Sequence, residues 1–310
     1  MKDFKGTREA FASAINDMAD EGKDIMFISP DSLKAMRAVP FAEQYPDRYV
    51  EVGIAEQCSV DVAAGLSTCG ITPFVATYAG FLTMRACEQM RTFVAYPNLN
   101  VKFLGVNAGL IGGEREGVTH QFYEDLGILS SIPNFTIFIP ADAAQTYWAV
   151  RKAYEISGPV YIRAASGREN DIYDRQAPFS MDGVTILKDY GKKNVIFASG
   201  FILDRVLEAA ELLKQAGIGV TVADVNILHG KNPEKIVDLI KQGHKLFTVE
   251  DHNINGGLGS YICQLSCEND PKSVTRIGLT SFGESGMAKE LADSYGFSPE
   301  NICGIVKNNQ

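Results

Sequence analysis

The feature that most constrains this chain is an alternation of short, wholly apolar segments with stretches of helical period, carried through the sequence twice. In the first half, segments 24–29, 73–78, 101–106, 135–139 and 160–163 read as buried strands. Helical stretches lie among them, at 7–21, 56–69, 82–94 and 142–157. Thr7 is placed to cap the first helix, and Asp142 with Gln145 has the spacing of a capping box. Segment 167–183, GRENDIYDRQAPFSMDG, turns polar, contains a proline and has no apolar period, which marks a domain boundary. Beyond it the pattern restarts, with strands expected at 195–198, 220–225, 246–249 and 274–279. Helices are expected at 203–216 and 233–242, after the GGLGS turn, and at 285–295. The expectation is an α/β fold in two domains, residues 1–175 and 185–310, each a mostly parallel sheet flanked by helices.

Charge narrows the function classes. The chain has 29 basic against 38 acidic residues, a net charge of −9, with no Lys/Arg-rich block, so it lacks the footprint of a nucleic-acid or anionic-membrane binder. Small molecules and proteins are the expected partners. The N-terminal MKDFKGTREAF lacks the apolar core of a signal peptide, and the six cysteines show no disulfide-like spacing. Together these point to a reducing cytoplasm. Cys263 and Cys267 have the spacing of one helix face rather than a zinc knuckle. Segment 62–84 is uncharged, but Pro73 and three glycines break it into helix, turn and strand, the interior of an α/β fold rather than a membrane span.

Several residues carry possible chemistry. In YVEVGIAEQCSVDVAAG, Glu56 follows a small apolar turn and begins a helix near a strand end, where open α/β sheets bind ligands. It reads either as an ordinary capping carboxylate or as a ligand-facing one. Tyr78 and Phe81, three apart after a buried strand, suit core packing or an aromatic wall. His120 lies in the glycine-bearing loop GVTHQ, and Arg8, Arg163 and Arg168 are candidate anion-binding cations. Arg85 and Arg91, on the helical stretch MRACEQMR, read as packing and interface residues. Asp251, His252 and the GGLG turn form a weak phosphate-loop pattern, to which no catalytic residue is assigned.

DRYVEVGIAEQ, TPFVATYAGFLTMRACEQMR, GLIGGEREGVTHQFYEDLGILSSIPNFTIFIPADA and GPVYIRAASGRE, in that order, resemble the pyrimidine-binding half of transketolase. VEDHNINGGLGS and SFGESGMAKEL resemble that family's C-terminal domain. The family's GDG motif, which with a downstream Asn binds diphosphate and Mg²⁺, does not occur in this sequence, so the resemblance is to the C-terminal subunit of a split transketolase. It implies thiamine diphosphate as cofactor, Mg²⁺ held mainly by an N-terminal partner subunit, an α2β2 assembly, and transfer of a two-carbon ketol unit from a ketose phosphate to an aldose.

Activating that cofactor needs a carboxyl group hydrogen-bonded to its pyrimidine nitrogen in a water-poor pocket, and the resemblance gives this role to Glu56. It places Phe81 at the ring-stacking position with Tyr78 beside it, and Met84 where some members carry a third aromatic. Asp31, with Ser29, keeps an SxD pattern on the thiazolium side. His120 falls where a side chain orients the donor's C1 hydroxyl and carbonyl region; Arg8 and Arg168, or alternatively Arg163, fall where phosphate is held. Asn107 replaces a usual phosphate-binding histidine, and Gly113 to Gly117, GEREG, replaces GEDG with one residue more, so that Glu116 stands for the hydroxyl-reading aspartate. These departures suggest an altered sugar substrate. The β subunit of a 2-oxo acid dehydrogenase and a non-catalytic scaffold subunit are the alternatives.

Overall fold

The computed structural model describes residues 5–113, 115–166, 170–177, 179–191, 193–230 and 233–309. In chain order its strands are β1 (Ile25–Ser29), β2 (Tyr49–Glu51), β3 (Thr72–Tyr78), β4 (Lys102–Val106), β5 (Thr136–Phe138), β6 (Val160–Arg163), β7 (Thr185–Asp189), β8 (Asn194–Ala198), β9 (Val220–Asp224), β10 (Ile227–Leu228), β11 (Lys245–Asn253) and β12 (Val274–Leu279).

They form two sheets, one in the order β10-β5-β6-β4-β3-β1-β2 and the other β12-β11-β8-β9-β7. Neighbours run parallel except β10 against β5 and β7 against β9. The central strands β3, β4, β6, β8 and β9 are buried almost throughout, which is why they read as unbroken apolar runs. The sheets divide between β6 and β7, with one exchange: β10, from the second half of the chain, extends the first sheet.

Helices cover both sheets, and their ends follow the local chemistry. Asp142 accepts the Gln145 N–H at 2.8 Å, while the Gln145 side chain reaches back to the Ala141 N–H, one residue before the expected capping-box partner. The other Asp142 oxygen accepts from Ile172 and Tyr173, tying part of the polar connection to the first domain. Thr7 does not cap: it is the buried first residue of helix Thr7–Asp20, whose N-cap is Gly6. The helix expected at 82–94 is not continuous. It consists of wide π-type turns at Phe81–Arg85 and Met90–Ala95 around a short α-helical stretch, Cys87–Gln89. No described helix is long and apolar enough to cross a membrane; segment 62–84 is the end of helix Glu56–Thr68, then β3, then the first π-type turn.

Candidate active site

The parallel strands of the first sheet end on one edge, and most of the expected site residues gather there. Glu51 closes β2, and its carboxylate accepts from the N–H of Asp31 (2.7 Å), the N–H of Gly53 (2.8 Å) and the Tyr49 hydroxyl (2.5 Å). Partial burial works against its charge, but these bonds outweigh it and hold the Glu51 carboxyl below its ordinary range. The turn thus fixed delivers Glu56 as the first residue of helix Glu56–Thr68, behind Ala55 as N-cap. Glu56 therefore sits at a positive helix end, as the sequence pattern anticipates, but its side chain makes no cap hydrogen bond.

Instead Glu56, only 3% exposed, accepts from Arg85: Nη1 lies 2.7 Å from Oε1. Among the described residues its other oxygen takes no protein hydrogen bond. The Arg85 guanidinium also lies over the Phe81 ring, 4.2 Å from its centroid. A π-type turn keeps Phe81 and Arg85 on one face, so a single structural element presents an aromatic ring and a cation to the same carboxylate.

Around Phe81 the rings meet edge to face. Tyr78 is 5.3 Å away, Phe122 5.5 Å and the His120 imidazole 5.3 Å, with Tyr78 and His120 4.9 Å apart. Gly80 makes room for this, because a Cβ there would lie 1.9 Å from the Phe122 ring. The half-buried His120 has Nδ1 3.0 Å from the Thr119 hydroxyl; Nε2 takes no hydrogen bond among the described residues. On the far side Arg8 lies 6.0 Å over the Tyr78 ring and donates to Asn107 Oδ1 and, at 3.4 Å, to the Ala35 carbonyl. Asn107 follows β4 at φ 54°, a left-handed conformation that asparagine tolerates well. Glu56, Arg85, Phe81, Tyr78, His120, Arg8 and Asn107 thus form one connected row.

The remaining candidates lie apart. Asp31, exposed at φ 53° after β1, is on the same edge, held through its N–H by Glu51. Glu116 is exposed in the loop before His120. Arg168 lies outside the described residues. Arg163 is a correction: it is buried and ion-paired with Asp125 at 3.0 Å, and it donates to the Asp251 carbonyl at 2.9 Å. Its guanidinium joins the two domains and does not enter the row.

Sequence reasoning also misses two members of the site. It assigns Arg85 to packing and Phe122 to nothing, although a buried Glu56 needs a cation and Phe122 is two residues from His120. The VEDHN segment proves to be structural, within the second domain at Glu250 and across the domain boundary at Asp251. Glu250 accepts the N–H groups of Leu258 and Gly259, and Asp251 those of Leu110 and Ile111. Burial pushes Glu250 up to about 7 and Asp251 up to about 6 against the pull of Arg163, and holds His252 down to about 4.

Residues 5–168 match the transketolase pyrimidine binding domain and residues 183–302 the transketolase C-terminal domain. The chain belongs to the transketolase family. One of the subunits of an apulose-4-phosphate transketolase from Actinobacillus succinogenes is 32% identical over 96% of this chain and 95% of its own length. A 6-deoxy-6-sulfo-D-fructose transketolase subunit from Clostridium sp. is 31% identical over 95% and 91%. Among solved structures, a split gene transketolase described as an inactive beta4 tetramer superposes with a TM-score of 0.88 at 34% identity, covering 99% of this chain and 98% of that one. Two mostly parallel sheets flanked by helices are the architecture of these transketolase domains.

Proposed function

We propose that this chain is the C-terminal, β-type subunit of a two-subunit transketolase, transferring a two-carbon ketol unit from a ketose phosphate to an aldose acceptor. One observation carries the reading: Glu56, a buried carboxylate with one oxygen free of protein partners among the described residues, stands beside the aromatic pair Phe81 and Tyr78. This arrangement fits the aminopyrimidine of thiamine diphosphate, a flat ring with a basic nitrogen, which the aromatics would flank and the carboxyl would meet. When bound, that cofactor supplies the nucleophilic carbon and the electron sink for C–C cleavage.

The chain's own residues supply the rest. Glu56 holds a proton at the pyrimidine nitrogen, and its burial keeps water from competing. His120 uses Nε2 to orient the donor's C1 hydroxyl and carbonyl region. Arg8, steadied by Asn107, grips the donor's terminal oxyanion together with Arg168. A guanidinium suits both phosphate and sulfonate, the anions carried by the sugars for which the two curated relatives are named. Asp31 lies toward the thiazolium side, and Glu116 reads the sugar hydroxyl.

Diphosphate and Mg²⁺ fall to an N-terminal partner carrying a GDG motif, in an α2β2 assembly. Supporting this, the two curated relatives above, matched over most of their length, are named as subunits, and Ile54 and Met84, beside Glu56 and Arg85 in sequence, stand 78% and 45% exposed. All six cysteines are unpaired, in keeping with a reducing cytoplasm. The test is ketol transfer by the chain mixed with a GDG-bearing subunit. Activity is expected only in the mixture and falls roughly 10²–10⁴-fold in Glu56→Gln. A mixture without transfer, or a fully active Glu56→Gln, contradicts the proposal, the latter in favour of a scaffold subunit.

A further inference from the structure

We propose that Asp251, in the second domain, is a positioning residue for the donor site of the first: its carboxylate pins the loop after β4 that carries Asn107 and braces the segment bearing His120. The inference rests on the reading of Arg8, Asn107 and His120 as donor-binding residues.

The pin is bidentate and buried. Asp251 Oδ1 accepts the Leu110 N–H at 2.9 Å and Oδ2 the Ile111 N–H at 3.0 Å. Gly109 lets the carboxylate in, since a Cβ there would lie 2.2 Å from Oδ2, and its φ of 88° is one that other residues resist. The Leu110 side chain belongs to the buried apolar cluster that forms the second domain's core, with Ile196 and Leu279 among its members, so both its backbone and its side chain are engaged from across the domain boundary. Asp251 is fixed in turn, because its carbonyl accepts Arg163 Nη2, and Arg163 is held by Asp125.

What the loop holds is the site. At its start Asn107 accepts the Arg8 guanidinium. In its middle the Gly109 N–H donates to the Phe122 carbonyl at 2.6 Å, and Phe122 packs on Phe81 two residues from His120. An interaction made by the second domain is thereby transmitted, through two backbone N–H groups, to the residues that meet the donor's two ends. The Glu56 to Arg85 and Arg85 to Phe81 contacts involve no residue of this loop, so donor affinity depends on Asp251 far more than cofactor affinity does.

Two variants test this from opposite sides. Asp251→Asn keeps the shape but turns an NH₂ group toward one of the two N–H donors. Gly109→Ala crowds the Asp251 carboxylate and carbonyl from the first-domain side, leaving the second domain's sequence unchanged. In the chain, hydrogen exchange at residues 107–111 is expected to accelerate in both variants, while β8 and β11 keep their protection. In the enzyme reconstituted with its diphosphate-binding subunit, the donor KM is expected to rise about tenfold, with kcat and thiamine diphosphate affinity within about a factor of three. Unchanged loop exchange, a loosened loop with unchanged donor KM, or faster exchange throughout both domains in both variants overturns the proposal. A wild-type complex without ketol transfer refutes the function, and the exchange result still decides whether Asp251 holds the loop.

Discussion

Arg85 donates to Glu56 Oε1 at 2.7 Å while lying 4.2 Å from the centroid of Phe81, so one guanidinium engages both the carboxylate and an aromatic ring of the candidate pyrimidine site. Arg85 is half exposed and Glu56 is buried, so the contact matters more for orienting the carboxylate than for global stability.

Replacing Arg85 should therefore act on cofactor binding. In the reconstituted complex, Arg85→Met is expected to raise the thiamine diphosphate concentration for half-maximal activity about tenfold, the loss of one charge-assisted hydrogen bond. Arg85→Lys recovers part of it, because an ammonium can still reach Glu56 but lacks the planar face. A cofactor titration with Arg85→Met that overlays wild type would remove Arg85 from the site.

His120 acts on the donor. His120→Ala is expected to lower kcat/KM for a ketose phosphate roughly 10²-fold through lost orientation and proton handling. Cofactor binding should change little, since Tyr78 and Phe81 still pair at 5.3 Å. Steady-state kinetics with varied donor check this, and unimpaired transfer would leave His120 as an edge of aromatic packing only.

The correction at Arg163 has a consequence for stability. Asp125 accepts from Arg163 Nε and from the Tyr161 hydroxyl, with every group buried. Asp125→Ala leaves a buried guanidinium without its counter-charge, at a cost of ~3–5 kcal/mol. Urea unfolding would show it as a lowered midpoint, and a loss below about 1 kcal/mol would mean that Arg163 finds other partners.

A pH signature is expected at Asp224, whose carboxyl burial pushes up to about 7 although the Tyr173 hydroxyl bond opposes the shift. The folded state then holds this proton more tightly than the unfolded chain, so Asp224 withdraws stability as pH rises from about 4 and has withdrawn all of it above about 7. Asp224→Asn, neutral at every pH, should raise the melting temperature by several degrees at pH 8 and by little near pH 4. A stabilisation that does not grow with pH would contradict this.

How much of this is legible in the sequence follows from where the information lies. Buried parallel strands such as β3 and β4 are continuous apolar runs and declare themselves, whereas β2 is half exposed, β7 pairs antiparallel at an edge and β10 has only two residues. The C-terminal helix Pro299–Asn308, capped by Ser298, also escapes the sequence reading. The place of Glu56 at a helix start is legible because a small apolar turn and a helix start are local signals, whereas its proposed role comes from the family resemblance. Arg85 is not, because a cation on a helix looks solvent-facing until the carboxylate it meets, 29 residues earlier, is known to be buried. Arg163 misleads for the converse reason: its partner Asp125 lies on another element, and an arginine at the end of a buried strand looks the same whether it faces substrate or a carboxylate. The grip of Asp251 on Leu110 spans 141 positions, beyond any periodicity.

The central claim is that this chain supplies the pyrimidine half of a thiamine diphosphate site completed by a second subunit. Titration calorimetry of thiamine diphosphate with Mg²⁺, into this chain, into the GDG-bearing subunit, and into their mixture, tests it most directly. Saturable binding in the mixture, none in this chain alone, and weakened binding when the mixture contains Glu56→Gln are the predicted results. A mixture that associates by sedimentation yet binds no cofactor, or binds it equally well with Glu56→Gln, would contradict the account and return Glu56 to a structural ion pair with Arg85.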